Sequence, residues 1–176
     1  MEYKVNNKKR GFTIIELILT IVILSFGIIG VYNVFSPFIS LNSNLYSRFT
    51  AAYLAQEGVE IVKNLRDHNF VNSTSWSNGL LICNLGCQAD YKAGTLVAGV
   101  NNQLQSYDPN KFLKLDSEGF YSYDGSTDTI FKRKITITED PPPDVLKVDV
   151  SVTWDFNGQF FNFDTVEYIY NWHLVQ

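Results

Sequence analysis

At 176 residues, 45% hydrophobic and 15% aromatic, the chain has material for one modest packed domain plus an appendage, which excludes wholesale disorder. Its formal charge is -4, yet four of its fourteen basic residues and one of its eighteen acidic ones fall in residues 1–11, leaving ten against seventeen, net -7, beyond them. An acidic body behind a basic leader excludes nucleic-acid binding through bulk charge.

Residues 1–10 are polar and basic, and Lys8, Lys9 and Arg10 stand directly before Gly11. Phe12-Thr13-Ile14-Ile15-Glu16 follows, and from Leu17 to Ser47 there is no charged residue. Residues 17–35, wound as a helix at about 1.5 Å per residue, span roughly 28 Å, close to a bilayer's hydrocarbon thickness. A basic flank stays on the cytoplasmic side, so the chain beyond the apolar segment is expected outside. Glu16 carries a carboxylate at the border of that segment, where an unpaired charge is costly and calls for a partner. An ordinary secretory signal is cut beyond its apolar region. Here the candidate cut, Gly11–Phe12, precedes it, so the anchor stays with the mature chain. Gly27, Gly30 and Pro37 weaken the helix, and Pro37 predicts a kink or local melting.

Lys8-Lys9-Arg10-Gly11-Phe12-Thr13-Ile14-Ile15-Glu16-Leu17, followed by an uncharged apolar run, resembles the prepilin signature of type IV pilins and pseudopilins. The stretches Ala55 to Glu60 and Lys63 to Asp67 are similar to minor pilin-like proteins. The resemblance implies removal of the leader after Gly11 by a prepilin peptidase, a membrane aspartyl protease, and methylation of Phe12. It also implies that Glu16 neutralises the N-terminal amine of a neighbouring subunit during assembly. An ammonium at Phe12 and a carboxylate at Glu16 are each costly alone in an apolar filament, and pairing offsets much of that cost. Implied partners are other pilin or pseudopilin subunits, the peptidase, an assembly ATPase, a platform membrane protein and the membrane itself, with no nucleic acid and no cofactor. The implied location is a single pass through the cytoplasmic (inner) membrane with the head outside, then an extracellular pilus or pseudopilus.

The next stretch, Leu45 to Arg66, is expected to be an amphipathic helix. Leu45, Phe49, Ala52, Val59 and Val62 recur at three-, four- and seven-residue spacing, with Leu54, Ile61 and Leu65 adjoining and Arg48, Glu57, Glu60 and Lys63 between. Gly58 reads as a weak spot. Glu57 and Glu60 are expected to solvate a helix face or touch neighbouring subunits, since no nucleophile or histidine accompanies them. Asn69 and the cluster from Asn72 to Asn78 end the helix.

From residue 79 the pattern turns to period two. Leu80–Cys83 and Ala89–Lys92 are expected as short strands around Cys83 and Cys87, a pair that fits either a short disulfide loop or two free thiols. Lys111–Leu115 and Phe120–Tyr123 pair across Asp116-Ser117-Glu118-Gly119. Ile130–Thr138 alternates, with Ile135 and Ile137 on one face. Leu146–Trp154 sets Leu146, Val148, Val150, Val152 and Trp154 on one side, apolar side inward. Asn157-Gly158 is a hairpin turn. Phe160–Trp172 returns, with Val166, Tyr168, Tyr170 and Trp172 sharing a face after a register change near Asn162–Asp164. Pro141-Pro142-Pro143 is a stiff spacer. Asp124–Asp128 lacks the acidic spacing of a calcium loop, and His68 and His173 have no ligand-spaced companions, so no metal site is expected.

The expected fold is α+β: a long N-terminal helix, half membrane-spanning and half amphipathic, packed on a C-terminal antiparallel β-sheet. Its divisions are a leader at 1–11, an assembly helix at 12–41, an amphipathic half at 42–68 and a β-rich head at 69–176. The expected function is structural, as a minor subunit of a type IV pilus or pilus-like system. The alternative is a pilus-associated adhesion or DNA-uptake binding module. No nucleophile elbow, phosphate loop or metal motif points to an enzyme.

Overall fold

The computed structural model describes residues 11–93, 104–140 and 144–172, with backbone alone for 36–43. The chain divides into two compact units, Met1–Leu45 and Tyr46–Gln176. Helix α1 runs Ile14–Val71.

In the first unit the helix is apolar on every side. Ile14–Phe35, 22 residues, is long and apolar enough to cross a membrane, and none of it is buried. Two of its hydroxyls are bonded within the helix: Thr20 Oγ1 donates to Leu17 O (2.8 Å) and Ser25 Oγ to Ile21 O (2.7 Å). Such back-bonding gives these two donors a partner where no water is at hand. The backbone is helical across Gly27, Gly30 and Pro37, so the local melting expected at Pro37 is not found. The Pro37 side chain lies outside the described residues.

In the second unit the remainder of α1 packs on a five-stranded sheet ordered β2-β1-β6-β7-β8. Its strands are β1 (Cys87–Gln88), β2 (Gln105–Ser106), β6 (Phe131–Asp140), β7 (Val145–Phe156) and β8 (Gln159–Tyr170). Every pairing is antiparallel. A smaller sheet, β4-β3-β5, joins β3 (Lys114–Leu115), β4 (Tyr121–Ser122) and β5 (Thr127–Asp128).

The buried stripe of the helix is Ala51, Leu54, Ala55, Gly58, Val59, Ile61 and Val62. Relative to the expected stripe it is rotated: Leu45 and Phe49 are exposed and Ala52 is half-buried. Small residues explain the rotation. A Cβ at Gly58 would lie 2.8 Å from Val150 Cγ1 and 3.1 Å from Arg133 Cδ, so the helix backbone approaches the sheet closely there. A phenyl ring cannot enter such a contact, whereas Ala51, Ala55 and Gly58 allow it. Across from them lie Ile135 and Ile137 on β6 and Leu146, Val148, Val150 and Val152 on β7, all buried. The helix ends at Val71, where Asn69 Nδ2 donates to Trp76 O (3.1 Å) and Asn78 O (2.9 Å), tying the following loop back.

Three strand expectations are corrected. Leu80–Cys83 is not a strand; Leu81–Leu85 forms a 3₁₀ turn. Cys83 and Cys87 are bonded with Cα atoms 5.0 Å apart, whereas four extended residues would separate them by about 13 Å. Ala89–Lys92 is not a strand either; pairing is confined to Cys87–Gln88, and residues 91–93 turn. No register change occurs in β8, which pairs with β7 without interruption from Phe156↔Gln159 to Val145↔Tyr170. Asn157 and Gly158 both have positive φ, 55° and 77°, the geometry of a two-residue hairpin turn whose twist matches its strands. Once that turn sets the register, Phe161, Phe163, Thr165, Glu167 and Ile169 share the side of Trp154, Val152, Val150, Val148 and Leu146. The stripe of Val166, Tyr168 and Tyr170 therefore faces away from the helix. Pro141-Pro142-Pro143 and His173 lie outside the described residues.

Candidate functional site

Gly11, Phe12 and Thr13 precede the helix in non-helical backbone. All three are exposed, Phe12 at 82%, and nothing stands within 4 Å of a Cβ built on Gly11. Thr13 opens the helix. Its carbonyl accepts from the amides of Glu16 (3.1 Å) and Leu17 (3.2 Å), and its Oγ1 accepts a longer bond, 3.4 Å, from the Glu16 amide. Thr-x-x-Glu is the spacing of a capping box, a signal present in the sequence but overlooked beside the other features of this stretch. The cap of the helix thus comes from Thr13, on the C-terminal side of the Gly11–Phe12 bond. Among the described residues no ion pair engages the Glu16 carboxylate, which is exposed. Gly11, Phe12 and Glu16 thus lie within one and a half turns of chain, around the positive end of the helix dipole.

Cys83 and Cys87 belong to the second unit and form a disulfide, with both residues buried. Cys87 also sits in β1, opposite Ile135 and Ser106, so the bridge closes the 3₁₀ turn onto the sheet.

The group that sequence reasoning missed is Arg133. It is fully buried, donates from Nη1 to Leu54 O (2.8 Å) and from Nη2 to Ala89 O (2.6 Å), and pairs with Glu57 Oε2 at 3.2 Å. Tyr123 Oη donates to the Arg133 carbonyl (3.2 Å). Helix, strand and loop meet on this one side chain. The signal was available, since alternation along β6 sets residue 133 on the face of Ile135 and Ile137. Glu57 accordingly does not simply solvate its helix, and Glu60 pairs with Lys63, which also reaches Glu167 on β8 (3.2 and 3.3 Å).

One polar cleft of about 360 Å³ opens between Tyr91, Lys92, Asp116, Glu118 and Ser126. Of its three carboxylates, Asp116, Glu118 and Asp124, the first is occupied. Tyr91 Oη donates to Asp116 Oδ2 (2.7 Å), and the amides of Glu118 and Phe120 donate to Oδ1 (2.9 and 3.0 Å). The tyrosine bond holds the Asp116 carboxyl below its usual value, and the same carboxylate pushes the Tyr91 phenol up to about 12. A low carboxylate and a high phenol make a poor acid–base pair near neutrality. No group of three or more His, Cys, Asp or Glu side chains suited to a metal occurs among the described residues.

Compared with known families, residues 6–32 match the prokaryotic N-terminal methylation motif. No curated protein and no solved structure matches the chain. The family that carries the motif is structural rather than catalytic, and the apolar Ile14–Phe35 helix fits a membrane-anchored member. Heading a chain whose second unit packs helix on antiparallel sheet, the motif supports a type IV pilin-type protein.

Proposed function

We propose that the chain is a minor structural subunit of a type IV pilus or pilus-like system, cut after Gly11, methylated at Phe12 and assembled through its N-terminal helix. The observation that carries this reading is the exposed, non-helical Gly11–Phe12 bond inside the matched motif, directly ahead of a helix capped by Thr13. A protease reads extended chain, and the cut leaves the helix end whole. Cleavage creates an ammonium at Phe12, just where the helix dipole is already positive, so that charge is driven toward an anion. Glu16 of a neighbouring subunit supplies one. In an apolar filament the pair forms only when subunits stand in the right register, which makes it an assembly device. The peptidase, a platform protein and an assembly ATPase act on the chain in turn. Residues 1–11 are then the leader, 12–41 the assembly helix, 42–68 the amphipathic half and 69–176 the head outside the cytoplasmic membrane.

Intact mass spectrometry of membrane-extracted protein, made with a matching peptidase present, tests the reading. Loss of residues 1–11 with one added methyl is expected. Retention of the leader overturns the reading. Glu16→Ala is expected to be processed as before and to be depleted from filaments, and normal incorporation of that variant would remove the pairing from the account.

A further inference from the structure

The two edges of the main sheet are built differently. At one end β2 is two residues long, too short to recruit another strand. At the other end β8 runs twelve residues, about 40 Å, pairs with β7 alone among the described residues, and has no proline, lysine or bulge along it. These are among the usual means of blunting an edge; the charges β8 carries are Asp164 and the inward-facing Glu167, which Lys63 engages. It is also apolar where it meets solvent: Phe160 is 88% exposed, and Val166, Tyr168 and Tyr170 are exposed as well.

Its backbone groups can be assigned. The two-residue turn makes Phe156–Gln159 a hydrogen-bonded pair, and such pairs alternate with open ones along an antiparallel ladder. The N–H and C=O groups of Phe160, Asn162, Asp164, Val166, Tyr168 and Tyr170 are thereby directed at the free edge. The same six side chains share the face turned away from the helix.

Charge selects the occupant. From Phe156 to Trp172 the charged residues are Asp164 and Glu167, both acidic. Glu167 is engaged by Lys63, and the cations on the outer face are held elsewhere: Lys147 by Asp149 at 3.1 Å, Lys132 by the Pro109 carbonyl, and Lys134 over the ring of Tyr107. Among the described residues Asp164 accepts from a neutral donor, Asn162 Nδ2, and makes no ion pair. A second copy of β8 fits poorly. The antiparallel register of fullest overlap sets 164 across from 166 and leaves two Asp164 carboxylates as diagonal neighbours on one face. A cation at that position pairs with Asp164, and its neighbours on the same face lie over the rings of Tyr168 and Tyr170, where cations are attracted.

We propose that the free edge of β8 is a docking site for an extended segment of a partner protein in which Lys or Arg alternates with β-branched residues, added to the sheet as a further strand. The inference rests on the sheet of the second unit and stands apart from the pilus reading, so either can fail without the other.

Hydrogen exchange on the full chain in detergent micelles tests it. The probe is a synthetic peptide of about ten residues alternating Lys with Val, compared with its Glu-for-Lys counterpart. Saturating Lys peptide is expected to slow exchange at the six edge amides by at least about tenfold, while the β6–β7 ladder is unchanged. The Glu peptide is expected to have no effect. Val166→Pro removes an edge-facing donor without breaking a bond to β7, and should abolish the response. Should that variant lose protection across the ladder, Asp164→Lys takes its place and should reverse the preference between the peptides. No slowing with the Lys peptide, or equal slowing with both, overturns the proposal. Slowing of the same amides by rising protein concentration alone also overturns it, by making a second copy the occupant.

Discussion

Arg133 carries a full charge into a place without water, and its surroundings account for most of its donors. Two carbonyls and the Glu57 carboxylate receive the two terminal nitrogens, while Nε has no partner among the described residues. Removing Glu57 would leave the guanidinium buried with no anion. Breaking a buried pair costs about 3–5 kcal/mol, and the partial exposure of Glu57 lowers that to about 2–3 for Glu57→Gln. Glu60→Gln, on the exposed side of the same helix, is expected to cost under about 0.5 kcal/mol. Urea midpoints compare the two, and equal effects would contradict the role given to Arg133. Tyr123 adds a pH signature. Burial pushes its phenol up to about 12, from 10.0. The neutral phenol is therefore favoured by the fold: its contribution is complete below pH 10 and is lost as pH rises from there toward 12. Tyr123→Phe should flatten the fall in stability across that window, which thermal melts at stepped alkaline pH would reveal. Legibility at this scale was uneven. Glycine, aromatic and acidic positions of the N-terminal stretch could be read directly, because each is defined by its place in a linear motif. Arg133 and Glu57 could not be matched, because 76 positions of chain separate them and only the folded sheet brings them into contact.

At the scale of elements, the Cys83–Cys87 bridge closes a small loop at the start of the sheet. Constraining so few residues in the unfolded chain is worth about 2 kcal/mol. The double change Cys83→Ser, Cys87→Ser is expected to lower the urea midpoint accordingly, and the native chain under reducing conditions should reach the same midpoint. A midpoint unaffected by reductant would show that the 3₁₀ turn holds without its bridge. The long strands were readable in the sequence because β7 alternates strictly over its whole length. The short ones were not. Leu80 to Cys83 is an apolar run of four, compatible with a strand or with one turn of helix, and only the sulfur bond decides between them. The error in β8 has a different origin. Its outer stripe of Val166, Tyr168 and Tyr170 is more apolar than its inner one, where Glu167 sits satisfied by Lys63. The apolar positions thus pass from Phe161 and Phe163 to the even-numbered Val166, Tyr168 and Tyr170, which reads as a register change, and the register set by the turn at Asn157-Gly158 excludes one.

For the whole molecule, the division at Leu45–Tyr46 separates a helix with no buried side chain of its own from a unit that holds the entire buried core among the described residues. Hydropathy made the membrane segment plain in the sequence, whereas the face of the second half depended on how close the backbone could come to the sheet. A chain beginning at Tyr46 is expected to fold alone, to remain in aqueous buffer without detergent and to keep its disulfide. Its dispersed amide spectrum and elution as a monomer would check this, and detergent-dependent folding would refute it.

The grip of Arg133 has a mechanical side. Leu54 and Glu57 lie on the helix and Ala89 on the loop beside β1, while the guanidinium is rooted in β6. Tension drawn along the helix axis must slide the first two past the third, loading these bonds together and sideways. Bonds loaded in parallel share the force, whereas bonds peeled from one end fail one after another. The Val150 methyl seated against Gly58 adds a notch to the same track, since any slip would bring a side chain where only a hydrogen fits. A sheet fastened in this way holds its helix as a bolt holds a sliding bar.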